Sequence, residues 1–378
     1  MTALPAERPD AAADAIRVML CDDSAVARGA LRRLLAAPPG IAVAHEARNG
    51  QQAVEMLAAM APAQRPEVVL LDLEMPVMDG LTALPLILRA APGVQVIVAS
   101  ALSQKGADAT MRALRAGAVD YVPKPSAAAG GVSDPRFAED LRAKVAGWAR
   151  MRRRPRPAPL ASRPVTSAPA ARLPAAPMLR AALRPGRPRA LAIGSSTGGP
   201  QALASLIGAL RHPPSVPVLV VQHMPAGFTA LLADHLDRLK RLPCAEAKEG
   251  EVLHPGRLYL APGDRHLLVQ AADDKLVARL SDGPAENFCR PAVDPMLRSL
   301  VAACGGRVVA AILTGMGQDG LEGGRALVAA GGTVMAQDEA SSVVWGMPGA
   351  VARAGVASLL APPEEIAARL LAACEGAS

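Results

Sequence analysis

Three short segments in the C-terminal half of the chain carry a serine, a histidine and an aspartate where they could act together. They are residues 194–199, 222–225 and 314–320, with Ser196, His223 and Asp319 as the candidate catalytic residues. Each follows an apolar run typical of a buried strand, at residues 190–193, 216–221 and 308–313. Because open α/β sheets present their chemistry at the carboxyl ends of strands, we expect these side chains to meet at one sheet edge. A nucleophile, a base and an orienting acid are the minimum for acyl transfer from an ester or amide.

The first of these segments reads Gly-Ser-Ser-Thr-Gly-Gly and contains the Gly-x-Ser-x-Gly spacing of a nucleophile elbow. The flanking glycines favour Ser196 as the nucleophile, although Ser195 or Thr197 could still be the hydrogen-bonding partner of the base. The helix predicted to begin near Gly199 would offer free N–H groups to an oxyanion. The spacing alone is a weak signal, because glycine-rich loops after strands also bind phosphate or simply turn.

Six histidines compete for the role of the base. His223 directly follows a predicted strand and is favoured, whereas His266 is better placed as a wall of the pocket. The other four are predicted to lie elsewhere: His45, His212, His235 and His254. Asp319 lies between two glycines, so its alternative role is an ordinary turn carboxylate. The chain order Ser, His, Asp differs from the Ser, Asp, His order of α/β-hydrolases and disfavours that assignment.

The elements that must position these residues alternate between apolar runs and amphipathic stretches in both halves of the chain. In the first half we predict strands at residues 17–21, 41–47, 68–71, 94–98 and 118–122. Helices are predicted to start near Ser24, Gly50, Asp79 and Ser103, with a further helix over residues 134–153. This alternation predicts an α/β fold with two domains, each built on a mainly parallel, doubly wound sheet.

The first half also carries acidic and basic residues at predicted strand ends. Asp22 and Asp23 follow the first strand and Asp72 follows the third, which would form an oxygen-rich pocket suited to Mg²⁺. Ser100 and Lys124 end the fourth and fifth strands, where a hydroxyl and an ammonium could hold phosphoryl oxygens. Each residue alone could be a helix cap or a solvated side chain, but the set together predicts a phosphorylation switch.

Composition narrows the class of protein. The chain has 378 residues, of which 51% are hydrophobic and only 2% aromatic, so base stacking on single-stranded nucleic acid is not expected. The net charge of +7 comes from a Pro-, Ala- and Arg-rich stretch, since residues 150–189 contain eleven Arg and no Asp, Glu or Lys. The five cysteines form no C-x-x-C pair, which argues against a disulfide framework. No secretory signal or membrane span is predicted.

The motifs of the first half resemble those of the response-regulator receiver domain. They are Leu-Cys-Asp-Asp-Ser at 20–24, Asp-Leu-Glu-Met-Pro-Val-Met-Asp-Gly at 72–80, Ala-Ser-Ala at 99–101 and Asp-Tyr-Val-Pro-Lys-Pro at 120–125. The resemblance implies phosphorylation of Asp72 by a histidine kinase, and Mg²⁺ bound by Asp22, Asp23 and Asp72. It further implies that Ser100 and Lys124 sense the phosphoryl group, that Tyr121 is a rotating aromatic residue, and that the peptide bond before Pro125 is cis.

The second half resembles the catalytic domain of the chemotaxis protein-glutamate methylesterases. The resemblance rests on the three segments described first, on Ala-Pro-Gly-Asp-Arg-His at 261–266 and on Arg-Pro-Ala-Val-Asp at 290–294. It implies Ser196 as nucleophile, His223 as base, Asp319 as its orienting acid and the backbone N–H of Met316 in the oxyanion site. Ser195 replaces the alanine that the family often has, and the linker is unusually long.

Together these features predict an N-terminal tail at 1–15, a five-stranded flavodoxin-like receiver domain at 16–137, a helix end and linker at 138–187, and a Rossmann-like methylesterase domain at 188–375. The expected protein is a cytoplasmic, monomeric esterase and deamidase that acts on methylated chemoreceptor helices. Its expected phosphodonor is a chemotaxis histidine kinase; no nucleic acid, membrane insertion or cofactor for ester hydrolysis is expected.

The rival hypothesis is a response regulator whose second domain only binds, either to DNA or to a kinase. No basic recognition helix follows residue 190, which disfavours the DNA-binding form.

Overall fold

A computed structural model describes residues 15–36, 40–101, 103–124, 135–153, 179 and 186–376. The N-terminal tail up to residue 14, most of the linker and the peptide bond between Lys124 and Pro125 lie outside these residues. The chain divides into two compact units between Arg152 and Arg153. No helix of the described residues is long and apolar enough to cross a membrane.

The first unit contains a five-stranded parallel sheet in the order β2-β1-β3-β4-β5. Its strands are β1 (Ile16–Cys21), β2 (Ile41–Ala47), β3 (Val68–Asp72), β4 (Gln95–Ser100) and β5 (Asp120–Pro123). Its helices are α1 (Ala25–Leu35), α2 (Gly50–Ala59), α3 (Gly80–Ala90), α4 (Gln104–Arg115) and α5 (Pro135–Arg153), with one 3-10 turn at Pro62–Gln64. The predicted doubly wound receiver fold is confirmed, and every predicted strand is found.

Side-chain caps explain why the helix starts could be predicted. The side chains of Ser24, Asn49, Asp79 and Ser103 each accept a hydrogen bond from a backbone N–H in the first turn of α1, α2, α3 and α4. Such a bond satisfies one of the N–H groups that a helix start leaves without an intrahelical partner. A capping residue before an amphipathic stretch therefore locates the start of the helix.

Helix α5 is tied to the sheet by a buried polar cluster. Trp148 Nε1 donates to Asp120 Oδ2 at 3.1 Å, and Lys144 Nζ donates to the carbonyl of Tyr121 at 2.8 Å. Lys144 also pairs with Asp140 at 3.0 Å. Because these contacts bind α5 to β5, the helix belongs to the first unit, which runs to Arg152. The domain limits at 137 and 188 stay predictions from the sequence.

The second unit contains a seven-stranded sheet in the order β14-β13-β12-β6-β7-β9-β8, in which all paired neighbours are parallel. Its strands are β6 (Ala190–Ser195), β7 (Val218–Gln222), β8 (Cys244–Glu246), β9 (Leu258–Leu260), β12 (Val308–Ile312), β13 (Thr333–Gln337) and β14 (Leu359–Ala361). A separate antiparallel hairpin joins β10 (His266–Ala272) to β11 (Lys275–Ser281). The predicted mainly parallel sheet is confirmed, while the hairpin was not predicted.

Six helices of the described residues cover the faces of this larger sheet. They are α6 (Gly199–Ala209), α7 (Phe228–Asp237), α8 (Val293–Cys304), α9 (Leu321–Ala329), α10 (Met347–Arg353) and α11 (Pro363–Glu375). The three central strands β12, β6 and β7 are buried along their whole length. Continuous apolar runs are typical of strands covered by helices on both faces, which is why these strands could be recognised in the sequence.

The close approach of α3 to β3 generates a prediction about Gly80. A Cβ atom at residue 80 would lie 2.1 Å from the backbone oxygen of Asp72, whereas one at Gly29 in α1 would have 4.0 Å to its nearest neighbour. We expect Gly80→Ala to lower the free energy of unfolding of the first unit by about 1–3 kcal/mol through overpacking. Gly29→Ala should raise it by up to about 1 kcal/mol, since alanine favours helix.

Denaturant unfolding, followed by the fluorescence of Trp148 in a Trp345→Phe background, measures both effects. Equal stability of the Gly80→Ala and Gly29→Ala variants would contradict the packing argument, because of these two positions only residue 80 lies this close to backbone atoms.

Candidate active site

Three adjacent strand ends of the second unit bring the predicted catalytic residues together. β6 lies between β12 and β7, with Gly194 paired to Ile312 and Ser195 paired to Gln222. Beyond these pairs the backbone contacts continue: Ser196 N donates to Thr314 O at 3.0 Å and His223 N donates to Ser195 O at 3.1 Å. Register in a parallel sheet therefore places Ser196 and His223 side by side at the carboxyl edge.

Asp319 contacts the imidazole of His223. Its Oδ2 lies 2.7 Å from His223 Nε2, although 96 residues separate the two in sequence. The N-terminus of α8 holds the same carboxylate, because Val293 N donates to Oδ2 at 2.6 Å and Asp294 N donates to Oδ1 at 3.0 Å. Gly320 N donates to Oδ1 at 2.9 Å. Free N–H groups at a helix start are a favourable site for an anion.

These hydrogen bonds decide the charge of the pair. Burial alone would raise the pKa of Asp319, but the bonds from His223, Val293 and Asp294 outweigh it and lower the pKa below its ordinary value. Burial likewise opposes the charge on His223, but the bonds to Asp319 and Cys289 outweigh it and raise the pKa of His223 to about 10. Asp319 is therefore ionised, and His223 Nε2 carries the proton that it donates to the carboxylate.

With Nε2 committed to Asp319, the other imidazole nitrogen is the one that can accept a proton from a nucleophile. The Sγ atom of Cys289 lies 3.4 Å from this nitrogen, Nδ1. Ser196 is half-buried, and its hydroxyl makes no hydrogen bond to any residue that the structure describes. The site thus holds an oriented histidine, an available serine hydroxyl and a thiol beside the reactive nitrogen.

The structure separates the two candidate serines. Ser195 is fully buried, and its hydroxyl donates to Gln222 Oε1 at 2.7 Å. Gln222 Nε2 in turn donates to the carbonyl of Ser196 at 2.9 Å. A Cβ atom at Gly199 would lie 1.9 Å from Gln222 Oε1, which explains a glycine at that position. Because Ser195 is engaged in this support and Ser196 is not, the geometry favours Ser196 as nucleophile.

Of the N–H groups predicted to stabilise an oxyanion, that of Met316 is available and that of Gly199 is not. The N–H of Gly199 donates to the carbonyl of Ser196 at 2.8 Å, so the prediction of a free N–H at the start of α6 is wrong for this group. Met316 is half-buried, and its N–H makes no hydrogen bond within the described part of the chain. Its neighbour Gly315 lies against Ser196, since a Cβ atom there would be 2.8 Å from Ser196 Cβ. Met316 therefore offers an available donor beside the serine.

His266 has a structural position instead of a catalytic one. It is buried, its Nδ1 accepts from Ala292 N at 3.2 Å, and its Nε2 donates to Pro284 O at 3.0 Å. Both nitrogens are thus occupied by backbone. Two other histidines bond elsewhere: His45 contacts the carbonyl of Gln64, and His212 pairs with Glu375.

The sequence reasoning missed three residues that complete the site. Asn287 donates from Nδ2 to Asp319 Oδ1 at 3.1 Å and to Asp294 Oδ2 at 2.9 Å, and Cys289 contacts His223. Asp294 is buried, and burial together with the nearby charge of Asp319 raises its pKa to about 6. Asn287, Cys289 and Asp294 lie in or next to the Arg-Pro-Ala-Val-Asp motif, which marked the segment as functional. The motif did not indicate a role for each residue.

The first unit presents a second cluster at the carboxyl edge of its own sheet. The carboxylates of Asp22, Asp23 and Asp72 lie with their oxygens within 4.8 Å of one another. Lys124 Nζ pairs with Asp72 Oδ1 at 2.7 Å, whereas the buried Oδ2 has no hydrogen-bond partner among the described residues. Hard oxygen donors and an unsatisfied carboxylate oxygen are what a Mg²⁺ ion requires, so this donor set fits the implied metal.

The pKa of Asp72 reflects its burial and the charges next to it. Burial and the neighbouring Asp22 raise the pKa of Asp72, while the bonds from Lys124 and the Glu74 N–H act in the opposite direction without fully compensating. A cation at the free oxygen would relieve this penalty. The structure thus brings Asp22, Asp23, Asp72 and Lys124 together as predicted.

Ser100 and Tyr121 contact other groups in this structure. The hydroxyl of Ser100 donates to Gly106 O at 2.8 Å, and the ring of Tyr121 is buried beneath Lys144, whose Nζ lies 5.1 Å from the ring centroid. Among the described residues, neither of them is hydrogen-bonded to Asp72. Their predicted part in sensing a phosphoryl group stays a prediction.

Comparison with known proteins assigns a family to each of the two units of the chain. Residues 191–370 match the CheB methylesterase family, and residues 18–131 match the response regulator receiver domain. The chain is 50% identical over 377 residues to protein-glutamate methylesterase/protein-glutamine glutaminase 1 of Paramagnetospirillum magneticum, covering 96% of this chain and 97% of that protein. It is 49% identical over 374 residues to the corresponding protein of Azospirillum brasilense, covering 96% and 94%.

Fold and site therefore define a hydrolytic α/β domain preceded by a receiver domain. The chain belongs to the family of protein-glutamate methylesterases/protein-glutamine glutaminases that carry such a receiver. The family resemblance drawn from the sequence is confirmed.

The raised pKa of His223 generates a prediction that can be tested without substrate. A nuclear magnetic resonance titration of the full chain should show the imidazole of His223 still charged at neutral pH, with a midpoint well above the ordinary value of 6.5. Asp319→Asn should lower that midpoint, because the negative partner that favours the imidazolium is gone. The signal missing from His223→Ala assigns the resonance. A midpoint at or below 6.5 in the wild type would contradict this account of the pair.

Proposed function

We propose that this chain hydrolyses γ-methyl esters of glutamate residues, and deamidates glutamine residues, on chemoreceptors during chemotactic adaptation, with Ser196, His223 and Asp319 as its catalytic residues. The observation that carries the proposal is the 2.7 Å contact between His223 and Asp319, beside a serine with an unengaged hydroxyl. Membership of the methylesterase/glutaminase family supports the substrate class.

The chemistry follows the acyl-transfer route of a serine hydrolase. The neutral form of His223, produced when the Nδ1 proton of the imidazolium is lost, accepts the proton of Ser196 at Nδ1 while the serine oxygen attacks the γ-carbonyl carbon of the substrate. The N–H of Met316 stabilises the oxyanion that develops. His223 then gives its proton to the departing methoxide, which is released as methanol, or to the departing amide nitrogen of a glutamine, which is released as ammonia. Water, activated in the same way, hydrolyses the acyl-enzyme to glutamate and restores Ser196.

Asp319 supports this cycle without exchanging a proton. It accepts the Nε2–H of His223 in both protonation states, which leaves Nδ1 as the nitrogen that exchanges the proton. Its fixed position at the start of α8 stabilises the imidazolium formed in each half-reaction.

We also propose that the receiver controls this activity through phosphorylation of Asp72 by a chemotaxis histidine kinase. Asp22, Asp23 and Asp72 would hold Mg²⁺, which when bound supplies the positive charge that phosphoryl transfer requires. Lys124 already pairs with Asp72 and would contact the phosphoryl oxygens. Ser100 and Tyr121 would then move toward the modified residue. A monomeric enzyme in the cytoplasm, where receptor helices carry the methyl esters, accords with this role.

Methanol release from methylated receptor-containing membranes tests the catalytic assignment. Ser196→Ala and His223→Ala should each lower turnover by several orders of magnitude, up to about 10⁶, because the two residues act as one unit. Asp319→Ala should retain more activity, since it only orients and stabilises the base. Ser205→Ala, a serine of α6 that bonds Glu364 away from the site, should behave as wild type. Near-normal turnover of Ser196→Ala would exclude Ser196 and return Ser195 to consideration.

The regulatory assignment is tested by adding an acyl phosphate as phosphodonor to the full chain. With Mg²⁺ present the wild type should become faster, whereas Asp72→Asn should stay at its basal rate. Removal of the metal by a chelator should also abolish the stimulation, because Asp72 cannot be phosphorylated without the positive charge of Mg²⁺. Asp79→Asn is the matched control, because asparagine caps α3 as well as aspartate does and residue 79 lies outside the acidic cluster. Stimulation of Asp72→Asn equal to that of wild type would overturn this assignment.

A further inference from the structure

The Cys289 thiol lies against the atom of His223 on which the proposed mechanism depends. Its Sγ is 3.4 Å from Nδ1, the nitrogen that must receive the proton of Ser196. Cys289 is the one cysteine of the five that is half-buried, while the other four are buried elsewhere. The contact is therefore between a catalytic base and the thiol of a half-buried cysteine.

A short turn holds the thiol at this position. Glu286 and Cys289 exchange two backbone hydrogen bonds of 3.1 and 2.9 Å across Asn287 and Phe288. Asn287 and Phe288 have φ angles of 52° and 62°, in the left-handed region. Asparagine tolerates this conformation, but a bulky residue such as phenylalanine does so at a cost, which the surroundings must offset.

The same carboxylate that orients His223 also anchors this turn. The side chain of Asn287 donates to Asp319 Oδ1 at 3.1 Å and to Asp294 Oδ2 at 2.9 Å, and Glu286 pairs with Arg298. Asp319 thus fixes His223 through Oδ2 and the turn that carries Cys289 through Oδ1. The distance between the thiol and Nδ1 is set by this shared anchor.

Nδ1 has room for one hydrogen-bonding partner, in the plane of the ring, whether or not it carries a proton. While Cys289 occupies that direction, Ser196 cannot donate to the same nitrogen, which agrees with the unengaged hydroxyl of Ser196. A thiol is a weak donor and a weak acceptor, so a serine hydroxyl can displace it at small cost. Cys289 also contributes to the raised pKa of His223, so it favours the protonated form that cannot act as a base.

We propose that Cys289 is a positioning residue that occupies His223 Nδ1 in the resting enzyme and must yield it to Ser196 in each turnover. This inference rests on the proposed function, because it assumes that Ser196 needs Nδ1. It implies that the thiol restrains the wild-type rate.

Turnover of two Cys289 variants of the full chain tests this role, with methanol release from methylated receptor-containing membranes as the readout. Cys289→Ala removes the competitor, and we expect kcat to rise about two- to fivefold with KM unchanged, as suits the loss of one weak hydrogen bond. Cys289→Ser should fall between alanine and wild type, because its hydroxyl can still bond but lies farther from the ring. Cys244→Ala, the same change in edge strand β8, should leave kcat unchanged.

The order of rates separates this role from simple packing. If Cys289 only filled space, wild type would be fastest and alanine slowest, and that order would overturn the inference while leaving the proposed function intact. In a Ser196→Ala background, Cys289→Ala should change nothing; residual activity that depended on the thiol would make Cys289 a nucleophile and contradict the proposal. If the wild type released no methanol, the proposed function itself would be wrong, and this inference would fail with it.

Discussion

One buried carboxylate organises the hydrolytic site. Asp319 is 1% exposed, and a charge so far from water is tolerated only when it is fully paired. Its donors come from four parts of the chain: the ring of His223, the first turn of α8, the Asn287 turn and its own loop. Satisfying this charge therefore requires β7, β12 and α8 to meet at one point. The position of the base, the direction of its free nitrogen and the location of the Cys289 thiol all depend on that requirement.

The buried carboxylates of Asp319 and Asp72 differ in how many of their oxygens accept hydrogen bonds. Both oxygens of Asp319 accept hydrogen bonds, so it stays ionised and has no capacity left for a new bond. Asp72 is also buried, but one of its oxygens has no partner within the described residues. A carboxylate that is saturated serves as a fixed support, whereas one that is left incomplete is disposed to bind or react. The same side chain therefore serves as support in one unit and as a reactive group in the other.

The sequence predicted those features that depend on local patterns. Apolar runs located β6, β7 and β12, and capping residues such as Ser24 and Asp79 located the helix starts, because these signals lie within a few residues. The catalytic set could be predicted because each member follows such a strand. Asn287 and Cys289 could not, since their turn lacks the glycine that usually marks a left-handed pair. The choice between Nδ1 and Nε2 also depends on the packing of distant segments, which no local pattern encodes.

The strand order of the larger sheet also bears on how the enzyme is made. β6 is the first strand of its unit in sequence, but it lies in the middle of the sheet and pairs with β12, which comes much later. His223 and its acid are separated by 96 residues, and contacts of such long range form slowly because a large loop must close first. A chain still emerging from the ribosome therefore carries the serine and the histidine well before it carries the acid. Esterase activity is thus withheld from the growing chain until most of the unit has been synthesised.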